Sequence, residues 1–299
     1  MRELRGKTAV ITGAGSGIGR ELALACAREG MGILLADIDE PGMRATQEAI
    51  ALLGVGVESI RCDVSRPLEV EAMADRAWQR FGAVHLLFNN AGVGVAGPVW
   101  AATLEDWQWT LGINLMGVVH GVRSFVPRML VQGGECHVVN TASVAGLVDI
   151  PGSAVYCVSK HGVVALSECL YHDLRVANAA IGVSVLCPAY VNTGIGDSAR
   201  HRPSDLAATN PLAAPYEEAM REALRSGRLT AADVARATLD AVKSGRFYIL
   251  THGKIKPAIE ARMRDILEDR LPTDVSRPLP QGARKWPTAT WCTSRPPKK

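Results

Sequence analysis

A glycine-rich segment between an apolar run and a helical run constrains the fold of this chain more than any other feature. Residues 7–11 predict a strand, residues 12–19 read TGAGSGIG, and residues 18–29 have the apolar spacing of a helix. A strand that enters a helix through glycines brings backbone N–H groups and the helix dipole to one point, an arrangement that binds a pyrophosphate. For the glycine segment taken alone, a plain tight turn is the alternative.

The alternation of apolar runs and helical segments continues along the chain. Strands are predicted at residues 7–11, 31–36, 57–62, 84–88, 136–140, 183–187 and 247–250, and helices at 18–29, 42–53, 68–81, 103–131 with a break near Pro127, 156–177, 230–243 and 257–270. The strand runs are apolar at consecutive positions, as in strands buried on both faces. The sequence therefore predicts an α/β fold of Rossmann type, with a doubly wound parallel sheet covered by helices on both faces.

The domain organisation follows from where this pattern ends. Residues 1–271 are expected to form a single domain, in which residues 193–228 are a long polar excursion and residues 251–271 add a helix. Residues 272–299 contain six prolines and six basic residues against one acidic residue. This composition predicts a disordered or surface-wrapped tail, although its two tryptophans leave docking in a groove as the alternative.

Charge and composition exclude several classes of protein. The formal net charge of the chain is +3. The tail, with six basic residues against one acidic residue, has a larger positive charge than that, so residues 1–271 are slightly acidic and binding of nucleic acid is not favoured. Seven cysteines without a CxxC pair argue against a disulfide framework or a zinc site, and no metal is expected. No apolar run suits a membrane span or a signal peptide, so a cytoplasmic location is expected.

An acidic residue at the end of the second predicted strand bears on the cofactor. Asp37 follows Gly19 by 18 residues, near the spacing of about 20 expected for a carboxylate that binds a ribose. A carboxylate repels a 2′-phosphate, and Ser16 and Ile38, where such a phosphate needs a cation, are neutral. The sequence therefore predicts NAD rather than NADP, and the alternative for Asp37 is an ordinary helix N-cap.

The segment YCVSK at residues 156–160 supplies a candidate acid–base pair. Residues four apart share a helix face, so the phenol of Tyr156 and the ammonium of Lys160 can meet. An ammonium nearby lowers the pKa of tyrosine from about 10 toward the working pH, which makes Tyr156 a usable general acid or base. A solvated pair is the alternative for this spacing alone, but Ser143 at a preceding strand end argues against coincidence.

Taken together, these motifs resemble the short-chain dehydrogenase/reductase family over most of residues 5–250. The match is carried by TGAGSGIG at 12–19, Asp63-Val64, NNAG at 89–92, Asn114, Ser143, Tyr156 and Lys160. The resemblance implies that Tyr156 exchanges a proton with the substrate oxygen, which Ser143 positions. It also implies that Lys160 lowers the pKa of Tyr156 and binds the nicotinamide ribose, and that Asn114 holds a water relaying protons from Lys160.

A set of cofactor contacts is implied by the same resemblance. It comprises Gly13, Ser16, Gly17, Ile18, Gly19, Asp37, Asp63, Val64, Asn90, Tyr156, Lys160 and Val191. Asp63 and Val64 look like the adenine contacts, Asn90 lines the cofactor ribose, and Val191 meets the carboxamide. One departure from the family pattern is Ala189, which stands where a glycine frequently follows the proline.

Two classes of function remain open at this point. The first is an NAD-dependent oxidoreductase that interconverts a secondary alcohol and a ketone, with an NADP-dependent carbonyl reductase as its nearest competitor. The second is a catalytically silent cofactor-sensing protein, which has no reason to keep the whole set of catalytic side chains.

The rest of the chain adds expectations about substrate and assembly. Residues 247–252 are weakly similar to a branch of the family that acts on hydrophobic or aryl alcohols, and residues 193–228 resemble its substrate lid, with a plain surface excursion as the alternative. Family members are commonly homodimers or homotetramers, so a homo-oligomer that binds a small alcohol or ketone is expected.

Overall fold

The computed structural model describes residues 1–274, and the predictions for the tail beyond Asp274 lie outside the described residues. Within this part, seven strands pair in parallel in the order β3-β2-β1-β4-β5-β6-β7. Their bounds are β1 Thr8–Thr12, β2 Gly32–Asp37, β3 Val57–Arg61, β4 Leu86–Asn89, β5 Cys136–Thr141, β6 Ile181–Cys187 and β7 Tyr248–Leu250. The predicted Rossmann-type parallel sheet is confirmed.

Helices cover both faces of this sheet. They are α1 Gly17–Arg28, α2 Glu40–Ala51, α3 Pro67–Phe81, α4 Leu104–Leu111, α5 Gly117–Gln132, α6 Ala154–Val176, α7 Ala214–Arg225, α8 Ala231–Ser244 and α9 Lys256–Leu267. One hydrophobic core joins the sheet to α1, α2 and α8, and a second joins its other face to α3, α5 and α6. Helix α7 lies within the segment 193–228 and was not among the predicted helices.

Consecutive apolar residues of the central strands face opposite cores. On β1, Ala9 and Ile11 belong to the core with α1 and α8, whereas Val10 belongs to the core with α3 and α5. All three side chains are completely buried. Because both faces remove apolar area from water, the strand reads as an unbroken apolar run rather than an alternating one.

The predicted helix break near Pro127 is wrong. Pro127 lies inside α5, and the interruption comes earlier, where Gly112–Met116 form a π-helical turn between α4 and α5. A proline removes one helical N–H donor and crowds the preceding turn. Burial of Phe125, Val126 and Met129 against the sheet offsets that cost, so the helix continues through the proline.

Helix α8, which the sequence predicts over residues 230–243, begins with a pair of side chains that cap each other. Thr230 Oγ1 accepts the N–H of Asp233 at 3.1 Å, and Asp233 Oδ2 accepts the N–H of Thr230 at 3.0 Å. This reciprocal capping satisfies two backbone donors that the helix itself leaves free. It fixes the start of the helix that packs against α1.

Two sequence expectations concern cysteines and membrane spans. The six cysteines among residues 1–274 are all free thiols, and five of them are buried. No helix in this described part combines the length and the apolar character that crossing a bilayer requires.

A buried chain of polar side chains lies beneath the carboxyl edge of the sheet. Asn89 Nδ2 on β4 donates to Asn140 Oδ1 on β5 at 2.9 Å, and Asn140 Nδ2 donates to Ser167 Oγ on α6 at 3.0 Å. The Ser167 hydroxyl donates in turn to the Val163 carbonyl oxygen at 2.7 Å. Because water has no access here, these bonds fix α6 relative to two strands.

Replacing Asn140 with alanine should therefore destabilise the fold. The Asn140→Ala change leaves the buried amide of Asn89 without its acceptor, and we expect a loss of roughly 1–3 kcal/mol in the free energy of unfolding. Denaturant unfolding followed by circular dichroism measures this loss. Gln108→Ala, which removes an exposed amide, is the matched control and should stay within about 0.5 kcal/mol of wild type. Equal effects of the two changes would contradict the role of the buried chain.

Candidate active site

A cavity of about 980 Å³ opens at the carboxyl ends of the parallel strands. It lies where β1 and β4 are neighbours, which is the point at which the chain crosses to opposite sides of the sheet. Ligands of doubly wound sheets bind in the crevice that this change of direction creates. Every site residue predicted from the sequence lines the cavity except Asn114, which lies behind its wall.

The glycine-rich turn after β1 forms one wall of the cavity. Gly13 has a φ of +68°, and a Cβ there would lie 2.9 Å from the Cα of Ala91, so this position requires glycine. A Cβ on Gly19 would overlap the carbonyl oxygen of Gly13. Ser16 precedes α1 without capping it through its side chain, and the first N–H groups of a helix have no partner within the helix. The turn therefore suits an anionic group.

Asp37 lies at the end of β2 beside this turn. Its Oδ2 accepts the N–H of Gly15 at 2.8 Å, and its Oδ1 accepts the N–H of Asp39 at 3.0 Å. The N-cap of α2 is Asp39, which accepts the N–H of Gly42, so the alternative interpretation of Asp37 as a helix cap is wrong. Each carboxylate oxygen has a second acceptor site, so Asp37 can still bind ligand hydroxyls.

Asn90 joins three strand ends at the centre of the crevice. Its Nδ2 donates to the Thr12 carbonyl oxygen at 3.0 Å, and its Oδ1 accepts the hydroxyl of Thr141 at 3.2 Å. The Thr12 hydroxyl in turn accepts the N–H groups of Asn90 and Ala91 at 2.9 and 3.0 Å. The side chain of Asn90 thus links the ends of β1, β4 and β5 in the wall of the cavity.

The remaining predicted cofactor contacts lie on the cavity rim and its opposite side. Asp63 Oδ1 accepts the N–H and the hydroxyl of Ser65, and the Val64 side chain is buried. Val191 is buried too, and its backbone forms an isolated parallel bridge with Leu229.

Ser143 follows β5 and is buried at the base of the cavity. Its hydroxyl donates to the Pro188 carbonyl oxygen at 3.3 Å, and its Oγ accepts the N–H of Ala145 at 3.1 Å. A hydrogen bond with Ser143 also acts on the pKa of Tyr156, lowering it. The structure therefore brings Ser143 and Tyr156 together, as the spacing of 13 residues indicated.

Tyr156 and Lys160 lie on the same face of α6, with Lys160 Nζ 5.7 Å from the centre of the Tyr156 ring. Burial raises the pKa of Tyr156 to about 12 and lowers the pKa of Lys160 to about 8. The direction for Tyr156 is opposite to the one expected from the Tyr–Lys spacing, because desolvation of the phenolate outweighs any help from the lysine. Lys160 Nζ donates instead to the Thr141 carbonyl oxygen at 2.9 Å.

Asn114 lies in the π-helical turn and is completely buried. Its Oδ1 accepts the N–H of Val93 at 2.8 Å, and its Nδ2 donates to the Val93 carbonyl oxygen at 2.9 Å and to Ser159 Oγ at 3.1 Å. Ser159 Oγ then donates to the Tyr156 carbonyl oxygen at 2.7 Å. Asn114 thereby fixes the loop after β4 against the first two turns of α6, and its water-relaying role stays a prediction.

Sequence reasoning missed several residues that position this site. The carbonyl oxygens of Thr12 and Thr141 accept from the side chains of Asn90 and Lys160. Thr12 is the first residue of the glycine-rich motif, which is a usable signal. Tyr216 and Met220 of α7 line the cavity but have no motif around them. No group of three or more His, Cys, Asp or Glu side chains within residues 1–274 is placed to hold a metal ion.

Comparison with known proteins identifies the class to which this fold and site belong. Residues 7–204 match the family model described as short chain dehydrogenase. The chain therefore belongs to the short-chain dehydrogenase/reductase family, and it is an oxidoreductase of that family.

Individual relatives cover nearly the whole chain. The crystal structure of a short chain dehydrogenase/reductase from Burkholderia phymatum in complex with NAD has a TM-score of 0.91 and 48% sequence identity, covering 93% of this chain and 100% of that one. The CLA biosynthesis dehydrogenase/reductase of Lactiplantibacillus plantarum is 34% identical over 91% of this chain and 97% of its own length. The 1-deoxy-11-beta-hydroxypentalenate dehydrogenase of Streptomyces avermitilis is 34% identical over 88% of this chain and 91% of its own.

The buried charge of Lys160 predicts a pH-dependent stability difference. Between its lowered pKa of about 8 and the value of about 10.4 for a solvated lysine, the unfolded chain holds a proton that the folded chain has released. Stability from this group therefore rises with pH in that window. Methionine cannot titrate, so from pH 7 to pH 10 wild type should gain roughly 2–3 kcal/mol relative to Lys160→Met.

Denaturant unfolding of both proteins at the two pH values measures this gain. Subtracting the free energy of unfolding of Lys160→Met from that of wild type at each pH removes the contribution of the buried cysteines, which both proteins share. Lys256→Met, at an exposed position on α9, is the control and should differ from wild type by the same amount at both pH values. A difference for Lys160→Met that does not change with pH would contradict the buried charge.

Proposed function

We propose that this protein is an NAD-dependent oxidoreductase that interconverts a secondary alcohol and a ketone. The observation that carries the proposal is the placement of Ser143, Tyr156 and Lys160 in the same cavity as the glycine-rich turn and Asp37. The phenol that would exchange a proton with a hydroxyl and the turn that would bind a dinucleotide then line one cavity. A substrate and a cofactor bound there would lie next to each other. The membership of the family supports this reaction class.

The residues present fit a nicotinamide dinucleotide. The positions of Gly13 and Gly19 admit no side chain, which suits the close approach of a pyrophosphate to the backbone. Asp37 at the far end of the turn suits a ribose with a free 2′-hydroxyl, and the Burkholderia phymatum relative was crystallised with NAD. When bound, oxidised nicotinamide supplies the carbon that accepts the hydride and a positive charge inside the cavity.

Each catalytic side chain has a distinct part in the proposed oxidation. When bound, the oxidised cofactor would accept the hydride from the carbinol carbon, and Tyr156, as a phenolate whose own proton has passed to solvent, would accept the hydroxyl proton, which leaves the ketone. Ser143 hydrogen-bonds the substrate oxygen, and Lys160 binds the nicotinamide ribose. Reduction of a ketone runs the same steps in reverse, so that Tyr156 then donates its proton.

The substrate proposed for this cavity is hydrophobic or aryl. The segment 193–228 contributes Ile195, Tyr216 and Met220 to the lining, and all three are largely apolar. Gly152 has a φ of +74°, and a Cβ there would overlap the Tyr216 ring, so this ring packs directly on the backbone of the loop before α6. We propose that residues 193–228 act as the substrate lid. An apolar substrate body would be buried between this segment and the loop.

The choice between NAD and NADP is tested at Asp37. Wild type should have a kcat/KM for NAD about 10-fold or more above that for NADP, because the carboxylate repels a 2′-phosphate. Asp37→Ala should reduce this ratio by weakening NAD and admitting NADP, whereas Asp37→Asn removes only the charge and should mainly improve NADP. The measurement is initial rate by absorbance of the reduced cofactor. A higher wild-type kcat/KM with NADP would favour the carbonyl reductase alternative.

The reaction itself is tested with a panel of secondary alcohols and the variant Tyr156→Phe. Wild type should reduce NAD with 1-phenylethanol, 1-(2-naphthyl)ethanol or 2-octanol, and Tyr156→Phe should lower kcat by about 10²-fold or more because the proton acceptor is lost. Binding of reduced cofactor, followed by its fluorescence, should survive. Tyr171→Phe makes the same change elsewhere on α6, away from the cavity, and should leave kcat unchanged. Absence of turnover with every alcohol and ketone and both cofactors would favour the cofactor-sensing alternative.

A further inference from the structure

A single peptide unit after β6 is hydrogen-bonded at both of its ends. The carbonyl oxygen of Pro188 accepts the Ser143 hydroxyl at 3.3 Å and the N–H of Val144 at 3.0 Å. The other end of the unit, the N–H of Ala189, donates to His252 Nδ1 at 3.2 Å. The imidazole and the serine hydroxyl are thus linked through one rigid plane, since rotation about the peptide bond itself is hindered.

The register of the last two strands explains why His252 reaches this peptide. Cys187 at the end of β6 is the parallel partner of Leu250 at the end of β7. Two residues beyond each partner come Ala189 and His252, so the chain continues the pairing with a side chain in place of a backbone acceptor. His252 therefore takes over the N–H group that a longer β7 would have bound.

The bonding of the imidazole is concentrated on one nitrogen. Nδ1 accepts from Ala189 and lies 2.8 Å from the Thr251 hydroxyl, so the ring proton belongs on Nε2 in the neutral form. Nε2 is buried and has no hydrogen-bond partner in the described structure. Burial lowers the pKa of His252, which keeps Nδ1 available as an acceptor.

We infer that His252 is a positioning residue for Ser143, acting through the Pro188–Ala189 peptide; the inference rests on the catalytic role proposed above for that serine. By holding the N–H of Ala189, His252 fixes the rotation of the peptide plane. The opposite end of this plane then presents the Pro188 carbonyl oxygen to the serine hydroxyl. His252 does not line the cavity, so it has no direct contact with a ligand there.

The orientation of the Ser143 hydroxyl decides what it can offer the substrate. The Pro188 carbonyl oxygen and the Ala145 N–H hold Ser143 Oγ in one rotamer, from which rotation of the O–H bond alone would turn its proton to the substrate oxygen, while the substrate's own proton passes to Tyr156. If the peptide plane were free to rotate, the serine would lose its fixed acceptor and populate other rotamers. Chemistry that depends on a near-attack geometry is sensitive to such misplacement.

Three substitutions at position 252 separate this role from a purely structural one. His252→Leu keeps the approximate volume and removes the acceptor, His252→Asn restores an acceptor near the place of Nδ1, and His252→Gln puts it near the place of Nε2. With NAD and a panel alcohol, His252→Leu should lower kcat by ~10-fold and leave KM for NAD within ~2-fold. His252→Asn should recover to within ~3-fold of wild type, and His252→Gln should not.

His85 supplies a matched control at the opposite end of the sheet. Its Nδ1 accepts the N–H of Thr8 at 3.1 Å, so it makes the same kind of bond before the start of β4. The variants His85→Leu and His85→Asn should keep wild-type kcat whatever they do to the melting temperature. Should His252→Leu fail to fold, the comparison of the Asn and Gln variants still tests where the acceptor must lie.

Amide hydrogen exchange tests the link from His252 through the Pro188–Ala189 peptide without any substrate. In His252→Leu and His252→Gln, the amides of Val144 and Ala189 should exchange ~10-fold faster than in wild type, while His252→Asn stays near wild type. A wild-type protein that turns over alcohols, together with unchanged kcat in both His252→Leu and His252→Gln, would overturn the inference. If wild type turns over none of the substrates, the proposed function fails, and the exchange rates alone test the positioning of Ser143. Unchanged exchange of the Val144 amide in the variants then overturns that positioning, and faster exchange supports it.

Discussion

The hydroxyl of Thr12 is the interaction on which the rest of the site depends. It donates to the Phe88 carbonyl oxygen and accepts the N–H groups of Asn90 and Ala91, so one side chain closes the gap where β1 and β4 part from each other. With the loop after β4 held there, Gly13 can approach Ala91 so closely that no Cβ fits between them. The order of the strands creates the crevice between β1 and β4, and the bonds of the Thr12 hydroxyl hold its two sides close together.

Burial governs the electrostatics of the same region. The phenol of Tyr156 and the ammonium of Lys160 are both withdrawn from water, and desolvation disfavours the charged form of each. The pKa of Tyr156 therefore rises from 10 to about 12, and the pKa of Lys160 falls from 10.5 to about 8. Without a ligand, both groups are thus uncharged only between a pH of about 8 and a pH of about 12. A cationic ligand ring in the cavity would favour the phenolate, and under the proposed function it would couple proton exchange to cofactor binding through the same low-dielectric space.

What the sequence could predict is what local spacing encodes. The glycine-rich turn, the carboxylate of Asp37 and the four-residue step from Tyr156 to Lys160 are each set by a few neighbouring residues, and the apolar runs follow from burial on two faces. The helix through Pro127, the π-helical turn around Asn114 and the helix α7 depend on packing between distant segments, which no local pattern records. The pKa of Tyr156 was predicted in the wrong direction for the same reason, because the depth of burial is a property of the whole fold.

The parallel register of β6 and β7 also has a consequence for the order in which the site is assembled on the ribosome. The 63 residues from Ala189 to His252 take roughly 3–13 s to synthesise at about 5–20 residues per second. During that interval the strands from β1 to β6 have emerged or are emerging, and the dinucleotide crevice between β1 and β4 has all of its residues. The imidazole that anchors the Pro188–Ala189 peptide follows after that interval. A nascent chain can therefore form the crevice between β1 and β4 before the peptide after β6 is held in place.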